Sequence, residues 1–520
     1  MNKKNKFFTP DITEAKKTLI SYKRDKAELE RRLEFEREQW RNVYSPNASS
    51  SWIFNSIVNK HADIIDNIPT CACLPREKRD EGYAESLSKV IPVICERAGF
   101  EQTYSDNSWN KLKHGTAVYG VFWNNSLEDG LGDIDIRAID LNDIYWDSGV
   151  ADIQASKNLF IVAQTDVDEL EALYPQFRYA EEKESASSLA QALGVKTVDG
   201  KALAVDWYYK KYYSDGSCKL HYCKFAGDYI LYCSEGDEGC EDGWYEHGLY
   251  PVVFDRMYPK EQGVCGFGLI AIASDAQGYI NRLDDNMLEY TDWASRVRFW
   301  AKRSLGVNEK EFLDLNKSIV EVEGDIDEEK LRQIEITPID DSVIDIKRLK
   351  IEELKEITGS RDVSQGGVSG SVTAASAISI LREAGAKSSR DGIAETYRAY
   401  IKMMALVIEL IRQFYDANRI FRVTGESGER EYLAFSGKCL RADENGRRPH
   451  FDIEINATKK SPTEAEQKNQ FAKELYDAGA FKAENVRETL MMLELMDFEG
   501  IGKLKASLRA LSVYTETQTL

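Results

Sequence analysis

Six side chains with metal-binding chemistry crowd one stretch of the sequence: Cys218, His221, Cys223, Cys233, Cys240 and His247. Thiolate and imidazole are the usual ligands of tetrahedral zinc, and structural zinc sites draw their cysteines from CxxC-type knuckles. Here four, nine and six residues separate successive cysteines, so the stretch reads as ordinary strand and loop cysteines. Asp133 and Asp135 have the spacing of an acid/base or metal pair, but they alternate with Ile134 and Ile136. That alternation puts Asp133, Asp135 and Arg137 on one strand face, for which solvent is the simpler explanation. Gly266-Phe-Gly268-Leu-Ile-Ala271 fits the GxGxxA turn that cradles a pyrophosphate and precedes a helical pattern. It has no strand directly before it and no βαβ alternation after it. The chain contains no GxxxxGK[ST] loop, no GxSxG elbow and no HExxH, and its five histidines are scattered. No catalytic residue, metal or cofactor is expected.

Two clusters remain. Arg296, Arg298, Lys302 and Arg303 gather where a helical pattern ends. They complement the negative end of the helix dipole, or they meet phosphate or a partner's acidic patch. The second cluster runs from Thr358 to Ser371 and holds four glycines, among them Gly366 and Gly367, beside Arg361, Asp362, Ser364 and Gln365. Glycine enlarges the entropy lost on ordering, so this segment reads as a loop.

The elements around that loop organise the chain. After it, Ile393, Tyr397, Tyr400, Met404, Val407, Ile411 and Tyr415 step by three and four residues. They draw one stripe along a rod of roughly 60 Å if it is unbroken from Thr373. Gly385 and Gly392 permit a kink. Before the loop, Ile280, Leu283, Met287, Tyr290, Ala294 and Val297 mark a helix over 267–303, and Ile346, Leu349, Leu354 and Ile357 mark another over 342–357. Strand patterns at 318–323 and 333–337 make a small β insertion between them.

Upstream, Thr9-Pro10 opens a charged helix of about thirty residues. Trp52, Ile53, Ile57, His61, Ile64 and Ile68 form a second helical stripe, on which His61 reads as a packed core histidine. Helices over 83–98 and 100–115 lead into a mostly sheet region over 116–260, with short helices at 166–174 and 182–192. Past Tyr415, strands are expected at 419–423, 432–435 and 450–455, and helices from Ser461-Pro462 onward. The fold class is α+β.

Composition bounds the function. With 42% hydrophobic residues in 520, the chain can bury several cores. Its 88 acidic against 68 basic residues, net −20, argue against tight wrapping of duplex DNA, whose affinity comes from phosphate neutralisation. Nine cysteines and no apolar run at the start suggest a reducing compartment. No apolar stretch approaches the ~20 residues of a membrane span, so a soluble protein is expected.

Three places carry a family resemblance: Leu141-Asn-Asp-Ile-Tyr-Trp-Asp-Ser148 with Asn158–Val162 and Tyr174-Pro175; Gly266-Phe-Gly268 with Asp275-Ala-Gln277 and Ile280–Leu283; and Ile357-Thr-Gly359 with the glycine-rich loop and Ser376-Ala-Ile378. In this order, from about Ser51 to Leu508, they resemble the portal proteins of tailed bacteriophages, in the branch that includes siphophage portals. The resemblance implies a ring, usually of twelve subunits, at one capsid vertex. DNA passes through it during packaging and ejection, and the tail attaches to it.

By position, the resemblance implies an N-terminal arm over 1–50, a wing over 51–265, stem helices over 266–303 and 342–358, and a clip over 304–341. A tunnel loop would follow over 359–372, a long wing helix and strands over 373–460, and a crown over 461–520. Arg361, Asp362, Ser364, Gln365, Gly366 and Gly367 would then be nearest the passing DNA. Arg296, Arg298, Lys302 and Arg303 would lie at the stem end. The implied partners are further copies of the chain, the terminase large subunit, head-completion adaptors, major capsid and scaffolding proteins, and double-stranded DNA; no membrane is implied. The protein would occupy the virion vertex, and the host cytoplasm during assembly. Twelve copies at −20 each carry −240 formally, which keeps phosphate sliding rather than bound. Two other classes call for different signals: a terminase or nuclease needs a phosphate loop or acidic metal cluster, and a minor capsid or scaffolding protein needs dominant coiled coil or disorder.

Overall fold

In the computed structural model of the full chain, the described residues are 10–43, 51–214, 216–237, 239–295, 299–301, 310, 331–333, 339–359, 387–424, 430–457, 462–477, 486–496, 501, 504, 505 and 508. The chain divides into two compact units, one of residues 1–40, 57–271 and 362–520, the other of 41–56 and 272–361. Helices and antiparallel ladders are mixed throughout, an α+β arrangement.

The first unit opens with α1 (Ile12–Asp25) and α2 (Ala27–Val43). The expected start at Pro10 moves to Ile12, because the Asp11 carboxylate accepts the amides of Thr13 and Glu14 at 2.9 and 3.2 Å. The single charged helix is two, parted at Lys26. The Lys26 ammonium is buried and donates to the carbonyls of Leu141, Asn142 and Ile144. Burial pulls its pKa down to about 8.

Next come α3 (Trp52–Ile65), β1 (Pro69–Pro75), α4 (Glu81–Arg97) and α5 (Phe100–His114). Strand β1 was not expected from the sequence. Strands β2 (Thr116–Asn124) and β3 (Asp133–Ile139) follow as read. Then come β4 (Ile144–Trp146), β5 (Asn158–Asp166), α6 (Val167–Leu173), α7 (Tyr179–Leu193), β6 (Lys201–Tyr212), β7 (Cys218–Ala226), β8 (Tyr229–Cys233) and β9 (Val252–Arg256). They make a three-stranded sheet, β3-β2-β9, and a five-stranded one, β4-β5-β6-β7-β8. The inner face of the larger sheet carries Phe160, Trp207, Tyr209 and Phe225, on which Ala15 and Leu19 of α1 and Leu189 and Leu193 of α7 pack.

Strands β10 (Tyr258–Pro259) and β11 (Gly266–Phe267) form a short ribbon before α8 (Leu269–Ser295). The expected helix to Arg303 gives way to a strand at Phe299–Ala301. The described helix ends at Ser295, and β12 (Phe299–Ala301) pairs with β13 (Leu331–Gln333), Trp300 opposite Arg332. Aromatic residues here satisfy their backbone in a ladder. The strand expected at 318–323 lies outside the described residues. Helix α9 (Asp341–Thr358) starts where Asp340 accepts the Ser342 amide at 3.0 Å, and Gly359 ends it at φ +69°.

The long helix of the first unit, α10 (Lys387–Phe414), runs unbroken through Gly392, about 42 Å at the usual rise. Gly385 and residues 373–386 lie outside the described residues. Gly392 serves close approach rather than a kink, since a Cβ there would stand 3.1 Å from the Met257 sulfur. The expected stripe is buried from Tyr400 onward. Strands β14 (Arg419–Thr424) and β15 (Arg430–Phe435) make a hairpin, β16 (Phe451–Ala457) returns to pair with β1, and α11 (Pro462–Asp477) and α12 (Val486–Leu495) follow.

Candidate functional site

In the second unit α8 and α9 lie side by side. Asp284 pairs with Lys347, and Tyr279 lies under the Lys350 ammonium at 5.4 Å, so numbers rise along one helix as they fall along the other. The N-terminus of α3 joins them. The Gln277 side-chain oxygen accepts the Trp52 and Ile53 amides at 3.1 and 3.3 Å, two donors that have no partner within their own helix. At the far end, the Ser56 and Thr358 hydroxyls share a 3.2 Å hydrogen bond, and Lys355 stands 5.7 Å over the Trp52 ring.

The inward face of α9 holds Leu354 and Thr358, both buried. Ile346, Leu349 and Ile357 turn outward, 50%, 67% and 43% exposed. The single stripe expected to include Leu354 is therefore split between two faces. Around the outward residues stand Asp345, Arg348, Glu352, Glu353 and Glu356, all exposed. The face is amphipathic in its own right, and a lone chain leaves its apolar half in water.

Within the first unit, buried polar groups fix α10 to the sheets. The Lys111 ammonium of α5 donates its three protons to Asp255 of β9 at 2.6 Å, to the Gly392 carbonyl at 2.8 Å and to the Thr396 hydroxyl at 2.5 Å. Thr396 in turn donates to the other Asp255 oxygen at 3.1 Å. Lys111 and Asp255 are 1% and 2% exposed. Burial raises the Asp255 pKa, and Lys111 opposes the rise. At the other end of α10, the Tyr415 hydroxyl donates to Asp133 at 2.5 Å, with Arg419 at 3.9 Å. Asp133 is thus buried, not on a solvated strand face; only Arg137 of the three charged residues on that strand is fully exposed.

The chain enters α8 across the end of α5. Gly115 takes φ +77°, and a Cβ on it would come within 2.0 Å of the Phe267 backbone; one on Gly268 would come within 2.6 Å of the Gly115 nitrogen. The glycines of the GxGxxA pattern are occupied by protein backbone, which leaves no cradle for a pyrophosphate. Arg32 donates to the Gly266 carbonyl at 2.9 Å, and the buried Glu36 holds His114 at 3.0 Å. Together these tie α2 to the crossing.

The tunnel-loop residues Arg361, Asp362, Ser364, Gln365, Gly366 and Gly367 lie outside the described residues, as do Arg296, Arg298, Lys302 and Arg303. Cysteines 218, 223, 233 and 240 are free thiols, and no metal-holding group of three or more His, Cys, Asp or Glu occurs among the described residues. His61 packs as read, stacked on Trp109 at 4.0 Å, and burial lowers its pKa. A groove of about 490 Å³ lies along α10 beside β9, walled by Val252, Phe254, Arg398, Ala399 and Lys402. Two of its cations are paired locally, Lys402 with Asp152 at 3.6 Å and Arg398 with Glu395. No helix among the described residues is long and apolar enough to cross a membrane.

Sequence comparison adds one finding. A family model described as "Phage P22-like portal protein" matches residues 61–519. No curated protein matches the chain.

Proposed function

We infer the working role of this chain from one premise: it belongs to the P22-like phage portal protein family. It is a structural protein of a tailed phage, not an enzyme. The family forms homo-oligomeric rings at the capsid vertex that act with capsid, terminase and DNA. On this reading α8 and α9 are the stem, 304–341 the clip, 359–372 the tunnel loop and 461–520 the crown of a ring of twelve, assembled in the host cytoplasm. Arg361, Asp362, Ser364 and Gln365 line the DNA path with Gly366 and Gly367, and the cations at 296, 298, 302 and 303 meet DNA or a partner at the stem end. The clip receives the terminase large subunit and later the head-completion adaptor, while the crown faces the capsid interior.

The outward face of α9 carries the ring reading. Burying what Ile346, Leu349 and Ile357 leave exposed is worth roughly 0.7–2 kcal/mol each, about half to two thirds of a full burial, a gain that a neighbouring subunit can supply. Electron microscopy and sedimentation velocity of the full chain test it. Wild type should give rings with a central hole wide enough for a duplex, and Leu349→Glu with Ile357→Glu should shift the population to monomers. A wild type that stays monomeric at micromolar concentration, or rings indifferent to both substitutions, would overturn it.

A further inference from the structure

The five-stranded sheet ends at β8, which has β7 as its neighbour, and their pairing sets Cys223 opposite Cys233. Ser234 donates its backbone N–H to the Tyr222 carbonyl at 2.8 Å, so Tyr222 and Ser234 are a hydrogen-bonded pair. Bonded and unbonded pairs alternate along an antiparallel ladder. The adjacent pair, Cys223 with Cys233, is therefore an unbonded one, with Cα atoms about 4.5 Å apart and side chains on one face at the ladder's closest approach. A disulfide accepts Cα separations of about 4.4–6.8 Å. Cys71 and Cys73 are also neighbours, but two residues apart along one strand, about 6.8 Å, at the limit of that window.

We propose that Cys223 and Cys233 are an oxidisable dithiol, closed to a cross-strand disulfide by a disulfide-type oxidant such as oxidised glutathione when the protein passes from a reducing to an oxidising environment. Cys233 attacks first: it is partly exposed, whereas Cys223 is fully buried. The neighbouring Cys223 thiol, and after it the Glu235 backbone, hold the Cys233 pKa down, to about 7. The Cys233 thiolate breaks the oxidant's S–S bond, forming a mixed disulfide and releasing one thiolate. Cys223 gives up its proton, attacks the Cys233 sulfur and expels the second thiolate. The protein loses two protons and two electrons, and the oxidant leaves as two thiols. The bridge pins the sheet's edge strand through the Gly227-Asp228 turn.

The full chain, equilibrated across a series of oxidised-to-reduced glutathione ratios, is acid-quenched, denatured, alkylated and mapped by peptide mass spectrometry. A Cys223–Cys233 cross-link should appear at a ratio about tenfold below that which modifies the exposed Cys218, because its second thiol is supplied within the same hairpin. Cys218→Ser should keep the cross-link, and Cys233→Ser should lose it and leave Cys223 alkylated as a free thiol. Wild-type Cys233 stopping at the glutathione adduct, a bridge to Cys218 or Cys240 instead, or both thiols staying alkylatable where Cys218 is already modified would overturn the proposal. The wild-type map does not depend on how any variant folds, and the readout is separate from ring assembly.

Discussion

Replacing Lys111 with methionine keeps most of the apolar stem of the side chain and removes its charge. Three donated hydrogen bonds disappear, and Asp255, 2% exposed, keeps only the Thr396 hydroxyl. Breaking a buried pair by removing one partner costs about 3–5 kcal/mol, because the remaining charge has lost its compensation. The unit spans about 400 residues, and at about 2.1 cal/mol/K per residue each kcal/mol shifts Tm by about 1 °C, so the fall is roughly 3–6 °C. Thermal and urea unfolding of the full chain, followed by tryptophan fluorescence, would read it. The double variant Lys111→Met with Asp255→Leu should recover most of the loss, since an apolar pair of similar volume is often as stable as a buried ion pair. A single-variant cost below about 1 kcal/mol, as for a surface pair, would refute the view that this bolt holds α5, β9 and α10 together. So would a double variant no better than the single one.

Three further outcomes follow from the same geometry. Burial and the nearby Arg412 hold His247 at about 4, and its Nδ1 accepts the Leu249 amide at 3.0 Å, a bond only the unprotonated nitrogen can make. The unfolded chain takes up this proton near pH 6.5, so stability present above that pH is lost as pH falls from about 6.5 toward 4; the urea midpoint should drop between pH 7 and 5, less steeply in His247→Gln. Hydrogen bonds from Arg447 hold the Glu77 and Asp80 carboxyls below their usual range, a contribution present above about pH 4 and lost as pH falls through their depressed values. Arg447→Gln should lower the neutral-pH midpoint and flatten the acid limb of the stability curve. Helix α8 carries Asp275, Asp284, Asp285, Glu289 and Asp292 against Arg282, and the chain is at −20, so duplex binding should be weak and steeply salt-dependent; nanomolar affinity at physiological salt in a filter or anisotropy assay would contradict a sliding channel.

Much of the fold was legible because local pattern and tertiary packing agree. Short strand-like runs linked by Gly/Asp turns at hairpin spacing placed β5 to β8, and helical spacing placed α3 and α4, and the C-terminal end of α10, to within a few residues. What failed, failed where a distant residue decides. Nothing in Pro69–Pro75 announces a strand, since its ladder partner is at Phe451–Ala457. Lys26 sits in a run of charged residues, and only the carbonyls of Leu141, Asn142 and Ile144 make it the break between two helices. Asp133 looks solvated until Tyr415 and Arg419 arrive from the other end of the first unit. For Lys111 one signal is available: Asp255 follows the apolar run Val252–Phe254, and strand alternation turns its neighbour Arg256 to the other face, so a carboxylate there demands a cation from another element. The family was legible in the order of its motifs, whereas the individual tunnel-loop and stem-end residues lie outside the described residues and stay proposals.

The β1–β16 ladder also sets a clock on biosynthesis. Cys71 faces Ile455, so the ribosome must add 384 residues after the first strand emerges before its partner exists. At about 5–20 residues per second, that is a wait of roughly 20–75 s with a strand edge open. The flanking prolines, Pro69 and Pro75, interrupt that edge with residues that cannot donate a backbone hydrogen bond, which discourages a passing nascent chain from pairing there first.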